Sequence, residues 1–196
     1  MNIIPPFIQQ RNLQKKLQLI EPLLQKNKSV LDFGCGDLAL AIELKRRNPS
    51  LSVTGVDVID VKKKPRDIKF ICYDGEKLPF KDKSFDNVLC FYVLHHCLDI
   101  KTSLMECKRV AKERIILVES LPRHPIEIPF MGLVDWLYNV WKLEPIPLTF
   151  QFLCLKEWKK LFLTLKVYVK SQKVVKIMAQ PSFMPFGRSY LFELYR

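Results

Sequence analysis

No run of about 18 apolar residues occurs anywhere in this 196-residue chain, so no membrane-spanning helix is expected. The opening, Met1 to Phe7 with Pro5-Pro6, lacks the charged-then-apolar order of a signal peptide, and the expectation is a cytosolic protein. No CxxC pair exists among the six cysteines, Cys35, Cys72, Cys90, Cys97, Cys107 and Cys154, which argues against a disulfide framework or a zinc ribbon. Most of them sit in apolar runs, where a reduced thiol behaves as a small hydrophobe. Internal repeats and low-complexity tracts are also missing.

What is present is a globular composition: 48% of residues are apolar and they are dispersed among charges. The length suits one domain with a real core. Lysine and arginine exceed aspartate and glutamate by 32 to 20, a formal charge of +12, which favours approach to phosphates or an anionic surface. The densest clusters, Lys62-Lys63-Lys64-Pro65-Arg66 and Lys45-Arg46-Arg47, lack the interleaved aromatics of a strand-binding surface and read first as solvated loop and helix-end charge. A nucleic-acid partner stays open on net charge alone.

Along the chain, Phe7, Leu13, Leu17, Ile20, Leu23 and Leu24 recur near a helical period, which predicts an N-terminal helix over 1–27, kinked at Pro22. Short apolar runs follow at Val30 to Phe33, Leu51 to Val56, Ile68 to Tyr73, Phe85 to Tyr92 and Ile115 to Val118, with helical periodicity at Leu38 to Arg47 and Ile100 to Val110. Continuous apolar strands separated by crossovers predict a parallel sheet covered on both faces, a doubly wound α/β architecture. The link from Val58 to Asp67 is too short, too basic and too broken by Pro65 for a full crossover helix. Beyond Val118, prolines surround Phe130, Trp136, Leu137, Tyr138, Val140 and Trp141, which predicts a helix between irregular arms that covers a site or packs an edge. Lys156 to Phe162 reads as helix, and Lys166 to Ile177 and Arg188 to Tyr195 as an antiparallel pair.

The first strand ends in Asp32-Phe33-Gly34-Cys35-Gly36 and runs at once into a helix. Glycines there let the backbone turn sharply and approach a ligand at the helix N-terminus. The second strand ends in Asp57, where a carboxylate can accept hydrogen bonds from both ribose hydroxyls. This Gly34, Gly36, Ala39 pattern would also serve a nicotinamide dinucleotide. Asp32 tilts the balance, because an acid before the first glycine is awkward beside a pyrophosphate and well suited to a ligand bearing ammonium and sulfonium groups. Asp74, after the third strand, stands where a carboxylate meets an adenine amino group or merely closes the Asp74-Gly75 turn.

These motifs together resemble the class I S-adenosylmethionine-dependent methyltransferases, and more narrowly the small domains of the ubiquinone/menaquinone-biosynthesis type. Val30 to Gly36 resembles their first motif, Thr54-Gly55-Val56-Asp57 the second-strand acid, and Asp74 to Phe80 the adenine-side loop. Ser84 to Leu89 with Val93-Leu94-His95-His96 resembles the fourth strand and its turn, and Arg109 to Val118 the helix and strand that follow. The resemblance covers roughly residues 28–120. It implies a Rossmann-like, mostly parallel seven-stranded sheet with an antiparallel C-terminal hairpin, an N-terminal helix and a helical insertion after the fifth strand. It divides one domain into 1–27 helix, 28–120 cofactor-binding core, 121–158 substrate cover and 159–196 helix end and hairpin. It implies S-adenosylmethionine as cofactor and S-adenosylhomocysteine as product, bound by Asp32, Gly34, Cys35, Gly36, Asp57, Val58, Asp74, Gly75, Glu76 and Phe91. Leu38 stands where the family has a third glycine, which suggests a narrower cleft or a displaced helix start.

Methyl transfer from a sulfonium needs alignment and exclusion of water more than acid–base chemistry. Where an acceptor must lose a proton, His95, His96 and His124 are the candidate bases. The spacing Cys90, His95, His96, Cys97 matches no chelating zinc pattern, and no metal is expected. Trp136, Tyr138 and Trp141 are candidates to wall a pocket for a small, apolar or aromatic acceptor. An RNA or protein acceptor using the basic surface, and a non-catalytic cofactor- or partner-binding module, are the alternatives.

Overall fold

The computed structural model describes residues 6–61, 64–140, 151–177 and 187–196. Helix α1 (Pro6–Ile20) leads to β1 (Ser29–Phe33), α2 (Ala39–Arg47), β2 (Ser52–Asp57), β3 (Lys69–Cys72) and β4 (Phe85–Phe91). Then come α3 (Ile100–Val110), β5 (Ala111–Leu121), α4 (Ile128–Val140), α5 (Leu155–Thr164), β6 (Tyr168–Val175) and β7 (Arg188–Tyr195). The seven strands form one sheet in the order β3-β2-β1-β4-β5-β7-β6, parallel except for β7, which runs antiparallel to both neighbours.

The apolar runs are continuous because successive side chains bury into opposite layers. Leu31 and Phe33 of β1, Val88 and Cys90 of β4, and Ile115 and Leu117 of β5 pack in one core with α3 and α5. Their alternates Val30, Leu89, Phe91, Ile116 and Val118 pack in a second core with α1 and α2. In the first core Trp158 and Phe162 of α5 meet Phe192 of β7, the two phenyl rings 5.2 Å apart and near edge-on. Asp99 caps α3 by accepting from the amides of Lys101 and Thr102.

Three expectations change in detail. The N-terminal helix ends at Ile20 rather than kinking onward to residue 27, because Pro22 cannot continue the α-helical ladder and a 3-10 turn, Glu21–Leu23, takes over. The fifth strand is much longer than Ile115 to Val118, since α3 passes straight into it at Ala111. Helix α2 starts at Ala39, with Leu38 as its cap. The link after Asp57 holds no helix among its described residues, as its length and Pro65 imply. Trp141 lies outside the described residues, and so does the side chain of Tyr138.

Candidate functional site

The site is assembled at the carboxyl edge of the parallel strands, where open α/β sheets receive their ligands. From the end of β1 the chain turns through Gly34 and Gly36, both with positive φ. A Cβ at Gly34 would lie 2.1 Å from the Val93 Cγ2 atom, so the turn can approach the loop after β4 only without a side chain. At Gly36 a Cβ would meet nothing within 4 Å, leaving an open face. The amides of Gly34 and Cys35 donate to the Val56 carbonyl, and the Gly36 amide donates to Asp57 Oδ2 at 2.8 Å. Asp57 Oδ1 also accepts from the Ile59 amide. Turn and acid are thus one hydrogen-bonded unit.

Asp32 lies beneath this turn, paired in register with Gly55 and Leu89. Its side chain is buried, and its Oδ2 has no hydrogen-bond partner among the described residues. Burial pushes its pKa up to about 7, opposed by Lys16 of α1 and reinforced by Asp57 and Asp37. Lys16 was not foreseen; its ammonium lies over the Phe91 and Tyr92 rings. The Cys35 side chain turns into the core, and burial drives its thiol pKa far up. Phe91 is likewise a core residue beneath α1.

Leu38 neither narrows the cleft nor projects into it. It takes up the left-handed conformation a glycine would adopt, φ 65°, and its side chain is fully buried. The space comes from Gly55 on β2, where a Cβ would fall 2.4 Å from Leu38 Cδ2 and 2.8 Å from Cys35 Sγ.

Beyond Asp57, Val58 is exposed and apolar, with Gly75 facing it closely enough that a Cβ there would lie 3.3 Å from Val58 Cγ1. Asp74 Oδ1 accepts from the amides of Glu76 and Lys77, so this carboxylate closes its own turn while staying exposed. Glu76 is exposed. The loop is held from behind by α3: Arg109 donates to the carbonyls of Leu78 and Phe80, and Glu106 accepts from the Leu78 amide.

After β4 the chain enters a 3-10 turn, Leu94–His96, organised by Glu119 of β5. Glu119 is 1% exposed. Its Oε1 accepts from the amides of Val93 and Leu94, and its Oε2 lies 2.6 Å from His95 Nδ1. His95 is buried and stacked on Phe152. Asp135 of α4 completes the group, with one oxygen 3.7 Å from His95 Nε2 and the other 3.7 Å from His96 Nδ1. Burial works to lower the His95 pKa, but Glu119 and Asp135 outweigh it and hold the value up at about 10. His95 and His96 therefore come together, whereas His124 is exposed before the turn Pro125–Glu127. Glu119 and Asp135 escaped sequence reasoning. The available signals were an acid directly after the run Ile115 to Val118 and the single charge in the apolar helix α4.

Residues 31–118 match the family described as "Methyltransferase domain". The chain is 34% identical over 153 residues to the demethylmenaquinone methyltransferase of Porphyromonas gingivalis, covering 71% of this chain and 60% of that protein. Over this segment the chain is similar to the S-adenosylmethionine-dependent methyltransferases. A demethylmenaquinone methyltransferase of Thermotoga maritima is 34% identical over 113 residues, 54% of this chain and 49% of that one. The chain thus spans about half to three-fifths of the length of these curated relatives. Its fold is shared with a S-adenosylmethionine-dependent methyltransferase structure from Aquifex aeolicus at a TM-score of 0.65 and 15% identity, covering 98% and 94% of the two chains. The residues present fit the cofactor of such enzymes: the unpartnered Asp32 oxygen suits an ammonium, and the turn at Gly36 has an open face.

Proposed function

We propose that this protein is an S-adenosylmethionine-dependent methyltransferase that transfers a methyl group to a small, apolar or aromatic acceptor. The observation that carries the reading is Asp135: the same helix that brings this carboxylate to His95 and His96 presents Leu133, Trp136 and Leu137, each between 37 and 50% exposed, along one apolar stretch. A polar cluster bordered by an otherwise apolar helix suits an acceptor with one reactive polar group on a lipophilic body. The demethylmenaquinone relatives support the same class of acceptor.

S-adenosylmethionine supplies, when bound, a methyl group already activated on sulfonium. Asp32 would hold its ammonium, Asp57 the ribose hydroxyls, and Val58, Asp74 and Gly75 the adenine. Glu119 fixes the turn carrying His95 and His96 by holding two of its amides and one imidazole nitrogen. The His95, His96 and Asp135 group is where an acceptor would be oriented and lose a proton. His124, being exposed, serves at most the rim of this site. Calorimetry with S-adenosylmethionine and S-adenosylhomocysteine, followed by transfer of labelled methyl to a panel of phenols and quinones, tests the reading. Heat with both ligands and labelling of a lipophilic acceptor are expected; cofactor binding with no labelled acceptor would remove the small apolar substrate, and no heat would remove the enzyme.

A further inference from the structure

Three ligand-capable side chains from two separate parts of the chain converge at the acceptor end of the site. The facing nitrogen of His95, that of His96 and a carboxylate oxygen of Asp135 all lie within 4.8 Å of one another. The two histidine-to-carboxylate separations, 3.7 Å each, exceed a hydrogen bond. They are close to the spacing of two ligands on a shared ion, since N and O ligands about 2.1 Å from a tetrahedral centre stand about 3.4 Å apart. A second observation points the same way. Glu119 takes the Nδ1 side of His95 at 2.6 Å and leaves Nε2 facing Asp135, the carboxylate–histidine arrangement that orients imidazole ligands in metal sites.

Charge also favours an ion. Two carboxylates, Glu119 and Asp135, flank two imidazoles in a largely buried setting, their side chains 1% and 24% exposed. One divalent cation with both imidazoles neutral balances the two carboxylates. We propose that His95, His96 and Asp135 bind a divalent transition-metal ion of the zinc class, with Glu119 positioning His95. Two imidazoles and one carboxylate suit such ions better than magnesium or calcium, which prefer all-oxygen shells. Three protein ligands leave a coordination position open. An acceptor hydroxyl entering that position would give up its proton to water more readily, with no oxidant or reductant involved. Only this use of the ion rests on the acceptor-site reading; the binding itself does not.

The test uses the full chain, freed of any histidine tag and stripped with chelator, titrated with zinc alone by calorimetry and assayed for retained metal after gel filtration. One zinc per chain is expected. Asp135→Ala and His96→Ala should each abolish uptake, and Glu119→Gln should weaken it about 10–100-fold. Cys72→Ser, which removes an exposed thiol away from the cluster, should leave uptake unchanged. S-adenosylhomocysteine binding by Asp135→Ala reports that the variant is folded; His96→Ala serves as the second probe if it is not. No zinc uptake by a chain that binds S-adenosylhomocysteine overturns the metal site and spares the enzyme reading. Uptake that survives both variants also overturns it. Zinc uptake lost in the variants, in a chain that binds no cofactor, keeps the site and removes the enzyme reading.

Discussion

Asp32 is a carboxylate whose neighbours make its ionisation unfavourable until a cation arrives. Its pKa of about 7, against an ordinary 3.8, reflects burial first, with Lys16 lowering it and Asp57 and Asp37 raising it. Because the folded value is raised, ionising Asp32 weakens the folded state progressively between about pH 4 and 7 and then no further. A bound ammonium should draw the pKa down, so cofactor affinity is expected to climb from pH 5.5 to 7 and then level. Calorimetry across that range checks it, and Asp32→Asn should flatten the dependence. For Asp57, loss of charge-assisted hydrogen bonds at about 1.5–3 kcal/mol predicts S-adenosylhomocysteine binding weakened at least tenfold in Asp57→Ala.

At the scale of elements, the first turn depends on a packing pair between α2 and β2. Gly55→Ala would drive a methyl into Leu38 and Cys35, and destabilisation of about 1–3 kcal/mol is expected in urea unfolding. Leu38→Ala empties a fully buried site and should lose about 2–5 kcal/mol. The double variant should lose less than the sum, because each change makes room for the other; strict additivity would refute the pairing. The same pair shows what a sequence can disclose. Strands β1, β2 and β4 were legible because burial on both faces leaves an uninterrupted apolar run, and the glycine turn was legible because its residues are contiguous. The fit of Leu38 to Gly55 depends on the pairing of β1 with β2, which no local pattern reports. Glu119, Asp135 and Lys16 were hidden for a related reason: each looks like an ordinary charge until β5, α4 and α1 bring it to the site.

For the molecule as a whole, cofactor binding should register as stability. At a ligand concentration about 100-fold above Kd, mass action contributes about 2.7 kcal/mol. In a chain of this size that predicts a Tm rise of roughly 5–10 °C with S-adenosylhomocysteine, and an unmoved transition would count against the cofactor site. The order of the sheet has a further consequence, for how the chain is made. β6 is joined to the rest of the sheet only through β7, which follows it in the chain and inserts between β5 and β6. A nascent polypeptide that has left the ribosome only as far as residue 187 therefore exposes one flank of β5 and carries β6 as an unattached ribbon. Synthesis of the β7 segment, Arg188–Tyr195, must precede closure of that flank of the sheet, so the packing of Trp158 and Phe162 on Phe192 is completed after strands β1 to β5 can already have paired.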